Sequence, residues 1–343
     1  MVALLGIGAL GQKLYFQLKK QNIKVDFLLD NHKNGTIFDE IEIITPLQIE
    51  DSFRSETTVI VSTFKQELRE NELNELTKLI LSLGFKEVVN IQQVINQFNL
   101  EFDYFYIGNF DKKREEIVQV SNLLFDDLST NIFQAHIDFR TDGDITLLHR
   151  CLSQEDQYVP DFFVQHLHSL EKSLRVVDCG ACFGDLLNSA LDKSIDLGEY
   201  IAFEPDVSNR EILSNTLRQR KINSIIMPLG VGDRELNLRF ASGEGMASHF
   251  DDNGTELIKI VSLDSVIVGE VDWIKMDIEG FEQEALLGAT RLIETHKPAL
   301  AISLYHKPDD IITLPLYLSQ YYSKLYIRQH GRYGFDLVLY CFN

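Results

Sequence analysis

Three short stretches of the sequence combine glycines with carboxylates in a pattern suited to holding a nucleoside. VVDCGACFGD carries Asp178, Gly180 and Gly184, YIAFEP carries Glu204, and WIKMDIEG carries Asp277. Glycines after a strand let the backbone approach a ligand closely, and a carboxylate can accept hydrogen bonds from both hydroxyls of a ribose. Each stretch ends a predicted strand, so these groups should meet at one edge of a parallel sheet. The pattern predicts a nucleoside-containing ligand beside a reactive carboxylate.

The first stretch also contains a Cys-x-x-Cys pair, Cys179 and Cys182. Such a pair at the start of a helix is typical of redox and metal sites. Neither chemistry explains Asp178 or Gly184, and the sequence has no second Cys pair or Cys/His pair at ligand spacing. We therefore interpret both cysteines as small residues that fill the glycine loop.

Several side chains near the third stretch are candidates for catalysis. They are Lys275, Asp277, Glu279 and His306. His306, in SLYHKP after the next predicted strand, has the ordinary pKa closest to neutrality and is the first candidate for a general base. Asp277 would then orient His306 or contact the ligand. A divalent cation held by Asp277, Glu279 and His306 is an alternative, but oxygen ligands have no diagnostic spacing, so the sequence assigns no metal.

A second glycine cluster lies at the start of the chain. GIGALG places Gly6, Gly8 and Gly11 between a predicted strand and a helix, and Asp30 ends the next predicted strand. This arrangement is typical of dinucleotide sites, in which the glycines admit a pyrophosphate at a helix N-terminus and the acid holds a ribose. The alternative is a domain that keeps the turn geometry without a ligand. The sequence predicts a second site, for a nucleotide or NAD-like ligand, or a vestige of one.

Alternating strand and helix patterns position both glycine clusters. Residues 1–98 and 171–343 each alternate β-rich runs with amphipathic runs, which is typical of Rossmann-like α/β domains. Residues 99–170 have a weaker periodicity that favours a mainly helical connector. The final β-rich runs flank a glycine turn, so a terminal β-hairpin is expected. The predicted fold class is α/β, with two Rossmann-like domains joined by this connector.

Composition excludes several classes of function. The chain has 343 residues and a formal net charge of −20, which opposes binding to nucleic acid or anionic lipid. No apolar run approaches a membrane span, and the first residues lack the basic region and cleavage site of a signal peptide. Its four cysteines are too few for a disulfide framework. We expect a cytoplasmic protein without an integral membrane segment.

The C-terminal part of the sequence resembles a known family. Residues 171–343 resemble the FkbM-type S-adenosylmethionine-dependent methyltransferases through VVDCGACFGDLL, YIAFEPDVSN, LGVGD, SLDSV, WIKMDIEGFEQEALLGA and PALAISLYHKPDDIITLPLYL. The resemblance implies a seven-stranded class I methyltransferase sheet, S-adenosylmethionine as the methyl donor, and O-methyl transfer, often to sugars. The residues expected to contact the donor are Asp178, Gly180, Ala181, Gly184, Glu204, Pro205, Asp233 and Asp277.

The expected function is methyl transfer to a hydroxyl of a saccharide, a sugar nucleotide or a glycosylated small molecule, in surface polysaccharide or glycoconjugate biosynthesis. The N-terminal domain resembles the nucleotide-binding-like domains attached to sugar-modifying enzymes. One alternative is an NAD-linked oxidoreductase that uses Gly6, Gly8, Gly11 and Asp30. Another is a non-catalytic nucleotide-binding assembly protein. The sequence leaves the acceptor and the oligomeric state open, a homodimer among the alternatives.

Overall fold

A computed structural model describes residues 1–62, 70–100, 107–108, 110, 112–142, 145–241, 249–250, 256–331 and 334–343. The chain forms two compact units. One comprises Met1–Arg114 and Gln134–Arg150, and the other comprises Glu115–Phe133 and Cys151–Asn343. The residues expected to form a connector, 99–170, are divided between these two units.

The described strands and helices follow the alternation predicted from the sequence. The strands are β1 Val2–Leu5, β2 Phe27–Leu29, β3 Ile37–Phe38, β4 Ile41–Ile44, β5 Thr58–Val61, β6 Glu87–Asn90, β7 Leu174–Cys179, β8 Leu197–Phe203, β9 Ser224–Met227, β10 Gly230–Val231, β11 Leu236–Ala241, β12 His249–Phe250, β13 Glu256–Val261, β14 Trp273–Met276, β15 Ala299–Ser303, β16 Lys324–Gln329 and β17 Leu337–Phe342. The helices are α1 Ala9–Lys20, α2 Asp51–Arg54, α3 Glu70–Ser82, α4 Ile91–Phe98, α5 Arg114–Leu123, α6 Asp127–Asp142, α7 Asp161–Ser169, α8 Asp185–Asp192, α9 Val207–Arg220, α10 Leu263–Val266, α11 Glu282–Leu287, α12 Thr290–His296 and α13 Asp310–Leu318.

The first unit is built on a six-stranded sheet in the order β3-β4-β2-β1-β5-β6. The strands run parallel except for the β3–β4 pair. Their short aliphatic runs are typical of a parallel sheet covered on both faces. Helix α1 starts directly after the first glycine cluster and buries Leu10, Leu14 and Leu18, which share one face at a spacing of four.

The second unit contains a seven-stranded sheet in the order β16-β17-β15-β14-β7-β8-β9. Strands β15, β14, β7, β8 and β9 are parallel, while β17 is antiparallel to both β15 and β16. The predicted seven-stranded sheet with its terminal hairpin is therefore confirmed. Every residue of β14, β15 and β17 is buried, because these central strands are covered on both faces.

Aromatic side chains fill much of the core of the second unit. Trp273 of β14 is fully buried, and its ring lies edge-on to Phe163 of α7 with centroids 5.8 Å apart. Phe163 also contacts Tyr340 of β17, at 5.2 Å between centroids. These pairs anchor α7 on the sheet, because aromatic pairs add stabilisation to the area they bury.

Strand register sets the place of the candidate site. Met276 of β14 pairs with Cys179 of β7 and with Ile302 of β15, and Cys179 also pairs with Phe203 of β8. The residues after these strand ends are therefore brought to one edge of the sheet, as predicted.

A separate four-stranded sheet has the order β10-β13-β11-β12. Within the described residues, no helix has the length and apolar character needed to cross a bilayer.

Candidate active site

The glycine loop after β7 is pressed against the end of β14. Gly180 has φ of +75°, and a Cβ at this position would lie 1.9 Å from the carbonyl oxygen of Asp277. The amide of Gly180 donates to the carbonyl of Phe203 at 2.9 Å. Only glycine can occupy such a position, because a side chain would collide with the neighbouring strand end. The loop is thus fixed between the ends of β8 and β14.

A buried ion pair between Asp178 and Lys275 contacts this loop. Asp178 has no exposed surface, accepts a hydrogen bond from the Tyr200 hydroxyl, and lies 3.1 Å from Nζ of Lys275. Lys275 also donates to the carbonyl of Gly180 at 2.6 Å. Burial alone would lower the pKa of Lys275, but the Asp178 and Asp277 carboxylates outweigh it and raise this pKa. Asp178 and Lys275 thus hold the loop in place, and their expected roles in donor contact and catalysis stay predictions.

Glu204, at the end of β8, is held beside the glycine loop and is only 4% exposed. Its carboxylate accepts from the amides of Cys182 and Asp206, each at 2.8 Å. Burial raises the pKa of Glu204, and these amide bonds oppose that rise. The side chain of Asn209 also donates to this carboxylate. A carboxylate offers about four acceptor positions, so these three bonds leave capacity for one ribose hydroxyl. The buried carboxylate and the side-chain-free Gly180 fit the nucleoside of the expected methyl donor.

The other residues expected at the donor differ in their surroundings. Ala181 is buried in the loop, and Gly184, with φ of +92°, precedes α8 and packs against Leu213. Pro205 follows Glu204, and its carbonyl accepts from Arg210 at 2.5 Å. Asp233 lies in an exposed turn after β10, where it pairs with Arg234 at 3.2 Å.

Neither cysteine of the loop has the environment of a reactive thiol. Cys179 is fully buried, and burial raises its pKa well above the ordinary value. Burial and the nearby Glu204 carboxylate raise the pKa of Cys182 to about 12. A redox or metal-binding cysteine needs a lowered pKa because the thiolate is the reactive form. Cys182 therefore matches the prediction of a loop filler, whereas Cys179 is the last residue of β7 and lies in the core.

Asp277, the residue after β14, lies at the centre of the site. It accepts hydrogen bonds from the hydroxyls of Tyr158 and Tyr305, the latter at 3.2 Å. Burial alone would raise the pKa of Asp277, but the neighbouring His306 and Lys275 outweigh it and lower the pKa. Asp277 is therefore an ionised carboxylate oriented by two phenols.

His306 lies between carboxylates rather than in a surface turn. Its Nδ1 is 2.8 Å from Oε1 of Glu282, and its Nε2 is 3.3 Å from Oδ1 of Asp277. Burial alone would lower the pKa of His306, but Glu282 and Asp277 raise it to about 10. In this arrangement the imidazole is protonated at neutral pH. It cannot then accept a proton, so the expectation of a base with an ordinary pKa does not describe this state.

Further carboxylates surround this pair. Oε2 of Glu279 lies 3.8 Å from Nε2 of His306. Burial, reinforced by Glu282, raises the pKa of Asp310 to about 7, and burial with Asp277 raises that of Asp336 to about 6. Burial is the largest cause of both shifts, and the neighbouring carboxylates add to it. Asp277, Glu279 and Glu282 all lie within 4 Å of His306, so carboxylates are concentrated around this histidine.

Three residues of this site were not predicted from the sequence as functional. Glu282 could be read as an ordinary acidic residue in the first turn of a helix, and Tyr305 as a core aromatic at the end of β15. Tyr158 comes from residues that the sequence assigned to the connector and carries no motif. Only the adjacency of Tyr305 to His306 in SLYHKP is a usable signal.

The first glycine cluster has the backbone geometry of a dinucleotide loop. A Cβ on Gly11 would lie 1.9 Å from the carbonyl of Gly6, whereas nothing lies within 4 Å of a Cβ on Gly8. Asp30 accepts from the amides of Ile7, His32 and Lys33. Although burial would raise the pKa of Asp30, these bonds lower it. The carboxylate expected at a ribose is thus already engaged in its own loop, and ligand binding here stays a prediction.

Known proteins support the interpretation of the second unit. Residues 178–326 match a family model described as the methyltransferase FkbM domain. A methyltransferase FkbM from Methylobacillus flagellatus KT has a similar structure, with a TM-score of 0.70 and 22% identity over 99% of this chain and 89% of that chain. At this identity the structural likeness shows the fold.

Two other solved structures are more distantly similar. An rRNA methylase from Streptococcus thermophilus has a TM-score of 0.33 and 14% identity over 51% of this chain and 92% of that one. A tRNA (uracil-54, C5)-methyltransferase from Pyrococcus abyssi has a TM-score of 0.30 and 9% identity over 52% of this chain and 36% of that one. We draw nothing from these two, whose TM-scores are below 0.5. A comparison with curated protein sequences gives no significant match.

The family match and the site geometry concern the same residues. The matched range begins at Asp178, beneath the glycine loop, and includes Glu204, Asp277 and His306. The seven-stranded sheet that carries them is the one expected for this family. Residues 178–326, which carry the candidate site, are therefore similar to the methyltransferase FkbM domain.

Proposed function

We propose that the protein transfers a methyl group from S-adenosylmethionine to a hydroxyl oxygen of a saccharide-type acceptor. The observation that carries this proposal is the contact between the glycine loop and the end of β14. Gly180 approaches Asp277 so closely that no side chain fits between them. A donor bound over the loop would therefore present its reactive methyl group beside Asp277 and His306.

The chemistry suits an in-line displacement. Methyl transfer from a sulfonium depends mainly on alignment and on exclusion of water. The rigid loop and the buried Glu204 supply alignment for the donor, and the phenols of Tyr158 and Tyr305 hold Asp277 in place for the acceptor. A sugar hydroxyl also needs a base or a cation, since it is a poor nucleophile. The ionised Asp277 can accept a hydrogen bond from that hydroxyl, which protonated His306 cannot do.

The proposed class of acceptor is based on the net charge of the chain, on the carboxylates at the site and on the resemblance to the FkbM family. The formal net charge of −20 argues against a nucleic-acid acceptor. The surplus of carboxylates at the site favours an uncharged or cationic acceptor with several hydroxyl donors. Saccharides meet this requirement, and sugar acceptors are common in the family that the sequence resembles. A role in surface polysaccharide or glycoconjugate biosynthesis follows from that class.

Donor binding is the first test. Calorimetry with S-adenosylmethionine should show one site of micromolar affinity on the natural chain, weakened at least tenfold by Glu204→Gln. Glu211→Gln, an exposed position of α9, is the matched control and should bind normally. Failure of the natural chain to bind the donor would contradict the proposal.

Methyl transfer is the second test. The protein, the donor and a panel of mono- and oligosaccharides should give products heavier by one CH₂ group, with the methyl on oxygen by fragmentation. Methylation of nitrogen or carbon in another class of molecule would reject the hydroxyl acceptor but would still support methyltransferase activity.

The N-terminal nucleotide site is a separate proposal. NADH binding that is sensitive to Asp30→Ala would support it.

A further inference from the structure

Two buried atoms at the site have no hydrogen-bond partner among the described residues. They are Nε2 of His306 and Oε2 of Glu282. The side chain of His306 is 3% exposed and that of Glu282 is fully buried. Buried polar atoms are rarely left unsatisfied, so each such atom calls for a partner. Nε2 of His306 is directed at Asp277 and Glu279, at 3.3 and 3.8 Å from their carboxylate oxygens.

These separations are close to the distances between two ligand atoms that bind the same metal ion. Ligand atoms about 2.1 Å from a metal, at angles of about 90–110°, lie about 3.0–3.4 Å from one another. The 3.3 Å between Nε2 of His306 and Oδ1 of Asp277 falls in this range, and Oε2 of Glu279 lies just outside it, 3.8 Å from Nε2. Ligand atoms of Asp277, Glu282 and His306 all lie within 4.8 Å of one another.

Glu282 is placed to hydrogen-bond the histidine ligand without binding the metal itself. Its Oε1 accepts from Nδ1 of His306 and from the amide of Ile278, at 2.8 and 2.9 Å. A carboxylate hydrogen-bonded to one ring nitrogen fixes the histidine tautomer and leaves the other nitrogen free to bind a metal. This carboxylate–histidine arrangement points Nε2 towards Asp277. A cation bound there would replace the Nε2 proton of the imidazolium, which is released to solvent.

The local charge is also unbalanced. Glu279 and Glu282 add two carboxylates to Asp277, whereas the imidazole of His306 is the one basic group in direct contact with all three among the described residues. Lys275 lies on the other side, where Asp178 shares it. Buried carboxylates are costly without compensating charge. A divalent cation would supply that compensation.

We propose that Asp277, Glu279 and His306 bind one divalent cation, with Glu282 holding His306 in the ligating orientation. One imidazole with two carboxylates favours a cation that accepts both nitrogen and oxygen, such as Mn²⁺. A bound cation lowers the pKa of a hydroxyl that contacts it, which is what a sugar acceptor requires. That use rests on the proposed function, whereas the binding of the cation does not.

Manganese binding to the full chain tests the proposal without any turnover. Electron paramagnetic resonance during a Mn²⁺ titration should show one bound ion per chain, and His306→Gln should remove it. Glu282→Gln should weaken binding by about 10- to 100-fold, the usual cost of losing an outer-sphere partner. Glu284→Gln, on the same helix but with a half-exposed side chain paired with Lys307, is the matched control and should bind like the natural chain.

Circular dichroism of each variant shows whether it is folded, and Asp277→Asn replaces His306→Gln if the latter is unfolded. No stoichiometric Mn²⁺ binding, or equal binding by the natural chain and the folded ligand variant, would overturn the cation site. Donor calorimetry with chelator separates this outcome from the proposed function. Donor binding and methyl transfer that persist fully in chelator would reject a catalytic cation and leave the methyltransferase intact.

Discussion

Oε1 of Glu282, at the start of α11, lies 2.8 Å from Nδ1 of His306, which follows β15, and both side chains are buried. A carboxylate can only accept, so Nδ1 carries the proton of this hydrogen bond. The bond fixes the ring and turns Nε2 towards Asp277. The orientation of the central histidine therefore depends on a residue that need not touch any ligand.

Replacing Glu282 should impair turnover more than donor binding. Glu282→Gln keeps the size of the side chain but removes its charge, so we expect kcat for methyl transfer to fall by about 10- to 100-fold. The Kd for S-adenosylmethionine should change less than twofold, because Glu282 has no described contact with the glycine loop. Steady-state kinetics and calorimetry on the same preparation measure the two effects. A matching loss of donor affinity would instead indicate general damage to the fold.

Much of the geometry around the glycine loop could be predicted from the sequence. Gly180, Glu204 and Asp277 follow strand ends, and parallel strand ends meet at one edge, so their proximity follows from the alternation of strands and helices. In the first unit, the same succession of strand, glycines and helix brings Gly11 close to the carbonyl of Gly6, which follows β1. Such predictions succeed because they depend on backbone geometry, which short motifs determine.

The surroundings of Asp277 and His306 could not be predicted in the same way. Tyr158 reaches Asp277 from residues without a motif, and no local pattern encodes that contact. The roles of Lys275 and His306 depend on burial and on nearby carboxylates, which reversed the simplest interpretation of their residue types. The charges around a side chain are set by tertiary packing, so the spacing of residues in the sequence does not reveal them.

Lys275 should matter for stability because its partner is fully buried. Lys275→Met leaves Asp178 without a counter-charge, and breaking a buried pair in this way costs about 3–5 kcal/mol of unfolding free energy. Adding Asp178→Asn should restore part of that loss. The exposed pair Lys259–Glu235 offers a control, since Lys259→Met should cost less than about 1 kcal/mol. Urea unfolding measures all four proteins, and equal losses at Lys275 and Lys259 would refute the role of burial.

Gly8 and Gly11, the last two glycines of the first cluster, should respond differently to substitution by alanine. Gly11→Ala places a Cβ against the carbonyl of Gly6, so we expect a loss of about 1–3 kcal/mol in the stability of the first unit. Gly8→Ala meets nothing within 4 Å at a negative φ and should fold normally. Thermal unfolding compares the two variants, and equal stability would contradict the close approach. NADH titration of Gly8→Ala then asks whether a ligand uses the open space at that position.

His330 should make stability depend on pH. Its Nδ1 lies 3.0 Å from the carbonyl of Glu155 and its Nε2 lies 2.8 Å from the hydroxyl of Tyr340, and burial lowers its pKa to about 4. The ordinary pKa of histidine is about 6.5. Between about pH 6.5 and 4 the histidine therefore binds a proton in the unfolded chain but not in the folded chain. The stabilisation is therefore complete above about pH 6.5 and is lost as the pH falls towards 4.

The natural chain should consequently lose about 1–3 kcal/mol more unfolding free energy than His330→Gln between pH 6.5 and 4. Because acidic groups elsewhere affect both proteins alike, the difference between the two curves isolates this histidine. His168→Gln, at an exposed position of α7, serves as the control and should follow the natural curve. Urea unfolding at several pH values measures the three curves. Parallel curves for the natural chain and His330→Gln would show that burial does not exclude the proton from His330.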